Sequence, residues 1–301
     1  MIEKNPVPIA IFCFNRLEHL VKTIEALRQN AMAENSPLFI FSDGARNDIE
    51  REAVVAVRKY IDSIEGFGSI NIIQRETNYG LAKSIITGVN FVFKSFDRII
   101  VLEDDMISSP HFLRYMNEAL DMYAQDDRVA CIHGYTYPCE IELPETFFLK
   151  GADCWGWGTW RRGWDLFCED GQLLLEKIES RNLQNEFNFD GSFRYTKMLR
   201  DHIIGKNDSW AIRWHASLFL QDKLCLYPGR SLIHNIGNDN SGTHSQHSQI
   251  FDTRLSNSRI DISNIVVSIS EPSRQAFIKY FRKVHGGFLS RAIRYIKAKL
   301  Y

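Results

Sequence analysis

Four times in its first hundred residues the chain sets a short apolar run beside a longer segment of helical spacing, and each run stops at polar residues. Residues 7–14 read as a buried parallel strand broken by Asn15-Arg16, and residues 17–30 as a helix with Leu20, Ile24 and Leu27 on one face. A second strand at 38–41 ends in Ser42-Asp43-Gly44, and a polar helix follows over 47–63. The third pair is a strand at 69–75 and a helix at 79–93, and the fourth strand, 98–102, runs into Glu103-Asp104-Asp105. This alternation predicts an α/β fold with a doubly wound, mostly parallel sheet. In such sheets ligands bind outside the carboxyl ends of the strands. Asn15, Arg16, Asp43, Arg75, Asn78 and the three acids are therefore expected on one edge.

The chain has 301 residues and a formal charge of -1, which argues against a nucleic-acid partner. The charge is uneven. From Ser273 onward there are eight Lys or Arg residues and no Asp or Glu, so the rest carries -9. Six scattered cysteines form no C-x-x-C pair and read as free thiols in a reducing compartment. The first residues lack the apolar run of a signal peptide, and no stretch approaches the roughly 20 apolar residues of a membrane span. A cytoplasmic location is the expectation. The sequence has neither G-x-G-x-x-G after its first strand nor G-x-x-x-x-G-K-[ST], so dinucleotide and P-loop chemistry fit poorly.

Three adjacent carboxylates at a strand end repel one another and lose solvation, unless a cation or a donor-rich ligand compensates. Mg2+ or Mn2+ suits such oxygens, and a diphosphate can complete the coordination of the same ion. The bland alternative is a solvated acidic loop. The apolar run Ile99-Ile100-Val101-Leu102 before the acids favours a site.

The stretch Val-Leu-Glu-Asp-Asp-Met-Ile-Ser-Ser-Pro-His-Phe-Leu-Arg-Tyr at 101–115 resembles GT-A fold glycosyltransferases. It is close to the family 2 enzymes of bacterial polysaccharide and lipopolysaccharide assembly. It is also similar to the animal N-acetylglucosaminyltransferase family that initiates hybrid and complex N-glycans. The resemblance runs as a pattern of motifs over about residues 5–245. It implies that Asp105 binds the metal, while Glu103 and Asp104 contact the donor's sugar and ribose. Asp43, in Phe-Ser-Asp-Gly, resembles the acid that bonds uracil; Arg16, in Phe-Asn-Arg, matches an arginine near base and phosphates. Lys83 falls at a helix start where family members contact the donor. For Arg16 and Lys83, plain surface solvation is the other reading.

After Ser109-Pro110 the pattern changes: a helix at 111–123, a strand at 129–135, then a loop-rich region dense in Trp, Gly and His. Residues 152–164 hold four tryptophans separated by glycines, which suits either a packed turn or a sugar-stacking wall. Trp155, Gly156, Trp157 and Gly158 are expected to line an acceptor pocket, with Trp160 and Trp164 in the core. An inverting transfer needs a base for the acceptor hydroxyl. Asp208, in Asn-Asp-Ser-Trp, is the first candidate and Asp153 the second; helix capping is the alternative role for Asp208. Residues 226–244 are expected to form a loop over the diphosphate, with His244 as a metal or phosphate ligand.

The expected organisation is a nucleotide-sugar half at 1–110, an acceptor and catalytic half at 111–270, and a basic amphipathic tail at 271–301. Residues 275–301 can lie on an anionic membrane surface, or pack on the domain. The expected partners are a nucleotide sugar, a UDP-sugar first, and a glycan or lipid-linked saccharide acceptor. A nucleotidyltransferase and an inactive glycan-binding protein on the same fold are the competing readings.

Overall fold

The computed structural model describes residues 6–239, 250–263 and 265–285. The first half alternates as the pattern predicts: β1 (Ile9–Cys13), α1 (Leu17–Arg28), β2 (Pro37–Ser42), α2 (Asp48–Ile61), β3 (Ser69–Gln74), α3 (Gly80–Val92) and β4 (Arg98–Glu103). Then come β5 (Met106–Ser108), α4 (Phe112–Met122), β6 (Val129–His133), β7 (Thr146–Lys150) and β8 (Trp157–Trp160). The stretch expected to be loop-rich also carries helices: α5 (Arg161–Trp164), α6 (Gly171–Ser180), α7 (Gln184–Phe187), α8 (Tyr195–Ile203) and α9 (Trp210–Leu220). The chain continues through β9 (Leu224–Pro228), β10 (Ile233–Asn235) and α10 (Glu271–His285).

One eight-stranded sheet runs β3-β2-β1-β4-β8-β6-β9-β7, and β5 pairs with β10 in a second, two-stranded sheet. The strands β3, β2, β1 and β4 are mutually parallel, whereas β8 and β7 run against their neighbours. The sheet is therefore mixed α/β and mostly parallel. It passes without a break from the first half of the chain into the second, so both halves share one core.

Each residue of β1 is buried, as expected of a strand covered on both faces. Phe12 on β1 and its register partner Phe41 on β2 stack 4.9 Å apart. Helix α3 approaches this pair closely through Gly88, where a Cβ would come within 2.6 Å of the Phe12 Cζ. A smaller apolar cluster lies apart from the sheet among α6 to α9, with Leu174, Ile178, Phe187, Leu199 and Phe219 at its centre.

Helix α10 settles the first part of the basic tail. Phe277, Ile278 and Phe281 are buried, and both phenylalanine rings lie 4.9 Å from Tyr137. On the outer side Lys279 and Lys283 both pair with Glu140. The expectation of a membrane-facing apolar side therefore fails for 275–285, because the domain already covers those side chains. Residues 286–301 lie outside the described residues. No described helix is long and apolar enough to cross a membrane. Removing a ring that is wholly buried in such a contact costs about 3–5 kcal/mol. Phe281→Ala is expected to lose that much in urea unfolding, and a loss below about 1 kcal/mol would mean α10 is only loosely attached.

Candidate active site

The carboxyl ends of β1, β2 and β4 open on a cleft of about 550 Å3. Its wall includes Asn15, Arg16, Asp43, Glu103, Asp104, Asp105 and Asp208. Residues separated by nearly two hundred positions in the chain thus meet in one cavity. The parallel order β2-β1-β4 is what brings the first six together.

Arg16 follows β1 and reaches across to the end of β4, where its Nη2 bonds Asp104 and, at 2.8 Å, Asp105 Oδ2. Asp104 is also held through its carbonyl, which accepts from Thr23 Oγ1 on α1 at 2.8 Å. The Asp105 carbonyl accepts from Ile236 N at 2.9 Å, just past β10. Gly237 lies so close that a Cβ there would overlap the Asp105 carboxylate. Asp105 Oδ1, by contrast, is buried without a hydrogen-bond partner.

That orphaned oxygen is the observation that tests the implied cation. Among the described residues no group of three or more His, Cys, Asp or Glu side chains is arranged to hold a metal. A single hard carboxylate oxygen does fit a Mg2+ or Mn2+ whose other positions are filled by diphosphate and water oxygens. Asp105 is therefore the residue that suits the ion. His244 lies outside the described residues.

Glu103 and Asp104 titrate abnormally. Burial, then the charges of Asp105 and Asp104, pushes Glu103 well above the usual carboxylate range, against a smaller pull from Arg16. Burial also raises Asp104, although Arg16 opposes it. Asp104 and Asp105 hold the Arg16 guanidinium above its ordinary value despite its partial burial.

Asp43 is buried at the end of β2 and largely occupied. Its Oδ1 accepts from Tyr79 N at 2.8 Å and from Gly44 N, and its Oδ2 accepts from Gly80 N at 2.9 Å. It therefore ties β2 to the start of α3, leaving limited capacity for a ligand. Lys83 does not reach the cleft. From α3 it is Gly80, Leu81 and Ser84 that line the wall, while the Lys83 ammonium lies outside over the Tyr79 ring at 4.3 Å. Helical geometry explains this: Leu81 and Ser84 are three residues apart on one face, and Lys83 falls beside it.

Asp208 sits on the far wall, just before α9. It does not cap that helix, since Ser209 Oγ accepts from Ile212 N at 3.3 Å. Its carboxylate is two-thirds exposed, and the buried Arg213, one turn along α9, places Nη2 3.5 Å from its Oδ1. Asp153 is elsewhere. It accepts from Tyr137 Oη at 2.9 Å and from Cys154 N, with His133 Nε2 4.0 Å away, and it does not line the cleft.

Nor do Trp155, Gly156, Trp157 and Gly158 line it. Trp157 is 1 % exposed and packs against Trp164, Trp210 and Trp214, and Gly158 is buried on the same strand. Both sit in the core, because β8 lies inside the sheet between β4 and β6. Gly156 adopts φ +63° with its Cβ position against Ile233, a conformation that suits glycine. Trp155 alone is half-buried, beside Tyr135 and Phe251, and its N–H donates to His133 Nε2. Of the loop expected at 226–244, the beginning is strand β9, and β10 follows.

Other cleft residues include Asn78, expected at the end of the third strand, Asn235, Gly237 and Asn238 from the segment expected over the diphosphate, and Arg46, which had no signal in the sequence. Asn235, Gly237 and Asn238 arrive through the β5–β10 pairing, and Arg46 and Asn78 from loops after β2 and β3. Asn78 closes its loop by donating to Gly44 O at 2.8 Å.

Residues 2–138 match the model of the GNT-I family. That match spans β1 to β6 with Arg16, Asp43 and the three acids, and agrees with the glycosyltransferase resemblance of the sequence. It ends before Asp153 and Asp208. No curated protein matches the chain. Among solved structures, the mannosyltransferase PcManGT from Pyrobaculum calidifontis in complex with GDP-Man and Mn2+ is 11% identical. It covers 45% of this chain and 37% of its own, with a TM-score of 0.35. TarS from S. aureus is 12% identical over 48% of this chain and 25% of its own, with a TM-score of 0.33. A UDP-glucose pyrophosphorylase complexed with UDP-glucose is 11% identical over 74% and 90%, with a TM-score of 0.38. The chain thus spans well under half the length of the first two structures.

The raised Glu103 carboxyl makes a signed prediction about stability. Below the unfolded-state pKa the residue is neutral in both states and costs nothing. As pH rises, the unfolded chain releases the proton and the folded chain resists, so stability falls. Glu103→Gln should therefore raise the metal-free melting temperature more at about pH 8 than at about pH 5. Equal gains at both pH values would mean that Glu103 is not held neutral by its surroundings.

Proposed function

We propose that the chain is an inverting, metal-dependent glycosyltransferase. In this reading it moves a sugar from a nucleotide-sugar donor, a UDP-sugar such as UDP-GlcNAc, to a hydroxyl of a glycan or lipid-linked acceptor in surface polysaccharide assembly. The observation that carries the reading is Asp105 with one buried, unpartnered oxygen, facing a cleft whose far wall holds Asp208. The family match over the strands that build this edge supports it.

Asp105 Oδ1 would hold the divalent ion, and when bound that ion supplies positive charge for a departing nucleoside diphosphate. Arg16 keeps Asp104 and Asp105 in place against their mutual repulsion. Glu103 and Asp104, beside them, are the groups for the donor's sugar and ribose, and Asn15 and Asp43 line the nucleoside side. Asp208 would take the proton of the acceptor hydroxyl. Arg213 engages its Oδ1, which leaves Oδ2 for the acceptor.

We place the enzyme in the cytoplasm, where nucleotide sugars are made. Arg291, Arg294, Lys297 and Lys299 would draw its end toward the anionic inner face of the membrane.

Turnover or hydrolysis of a UDP-sugar panel should be abolished by a chelator and by Asp105→Ala. Full activity in either case would exclude the metal role. Asp208→Asn should bind donor normally in calorimetry yet transfer about a hundredfold more slowly. Retained transfer would move the base elsewhere.

A further inference from the structure

Two arginines line the cleft against five carboxylates, Asp43, Glu103, Asp104, Asp105 and Asp208. Arg16 is engaged by Asp104 and Asp105. Arg46 is held in a different way. Its Nε donates to Glu50 Oε1 and Oε2 at 2.9 and 3.1 Å, its Nη2 also bonds Oε1, and its own backbone N–H reaches Oε2 at 3.1 Å. The guanidinium carbon lies 5.3 Å from the centroid of the Phe14 ring.

An exposed ion pair between residues four apart adds little to stability. The arginine side chain is 48% exposed, and the backbone part of this clamp closes the start of α2, where the Asn47 side chain accepts from Glu50 N. The side-chain contacts also orient the group, holding the guanidinium over an aromatic ring at the cleft wall. A side chain held this way loses little rotamer freedom on binding. Its Nη1 has no hydrogen-bond partner among the described residues.

Position in the sheet says which part of a ligand it meets. Arg46 follows β2, whereas Asp105 follows β4, with β1 between them. Two strand spacings separate those ends, roughly 10 Å. Glu50 on α2 anchors Arg46 on the β2 side, next to Asp43, rather than over the acids.

Resting on the transferase reading above, we infer that Arg46, clamped by Glu50 over Phe14, is a binding residue for the nucleoside end of the donor. Its plane and the Phe14 ring offer a stacking surface for the base, and Nη1 donates to a base or ribose oxygen. The diphosphate lies at the Asp105 end and is not its target.

The test uses the full chain and three probes: uridine by saturation-transfer NMR, and UDP and inorganic pyrophosphate by calorimetry with Mn2+. Arg46→Gln should weaken uridine and UDP about tenfold and leave pyrophosphate within about twofold. Glu50→Gln, which keeps the cation but loosens it, should weaken the same two ligands less. Loss of pyrophosphate affinity with uridine unchanged would put Arg46 on the phosphates and overturn the assignment, as would unchanged UDP affinity. If the unaltered protein binds neither uridine nor UDP, the transferase reading of the cleft fails first, and this assignment with it.

Discussion

The ion contact between Arg16 and the carboxylates of Asp104 and Asp105 joins the end of β1 to the end of β4, and the cleft depends on it. Without a cation, two buried acids side by side would each favour protonation or force the strand ends apart. Breaking such a contact by removing one partner leaves uncompensated charge, at a cost of about 3–5 kcal/mol. Arg16 satisfies Asp105 Oδ2 only, so Oδ1 is left buried without a hydrogen-bond partner. The same residue thus stabilises the acid cluster and leaves it incomplete.

Around that contact the chain is built to keep the acids fixed. Thr23 on α1 and Ile236 after β10 bind the carbonyls of Asp104 and Asp105, so helix, main sheet and the small β5–β10 sheet all converge on three residues. Gly237 permits the closest of these approaches. Asp43 performs a similar service two strands away, gathering the N–H groups of Gly44, Tyr79 and Gly80. Preorganised polar groups in a partly dry cavity interact strongly with charge.

The second half contributes bulk more than chemistry. Trp157, Trp164, Trp210 and Trp214 form one buried aromatic group that fixes β8 and α9 together, and α9 carries Asp208 at its entrance. Tyr137, packed against Phe277 and Phe281 of α10, donates to Asp153 and so links that helix to the interior. The tryptophan-rich motif that suggested a sugar wall therefore acts mainly as a clamp.

The sequence by itself determined the alternating elements of the first half and the polar strand ends, since a buried parallel strand must be an apolar run and must stop somewhere polar. Asn15, Arg16, Asp43 and the acids at 103–105 were legible for that reason. Asp208 was found only through its motif. Tertiary structure alone decided the rest. Lys83 and Ser84 are neighbours in sequence, yet helix rotation sends one outward and the other into the cleft. Trp155 and Trp157 share a motif, but β8 sits inside the sheet and takes Trp157 into the core. Arg46 carries no local mark, because its place follows from its contact with Glu50. The basic tail reads as amphipathic in either setting. Periodicity shows that a helix has an apolar face, and only the fold shows what covers it.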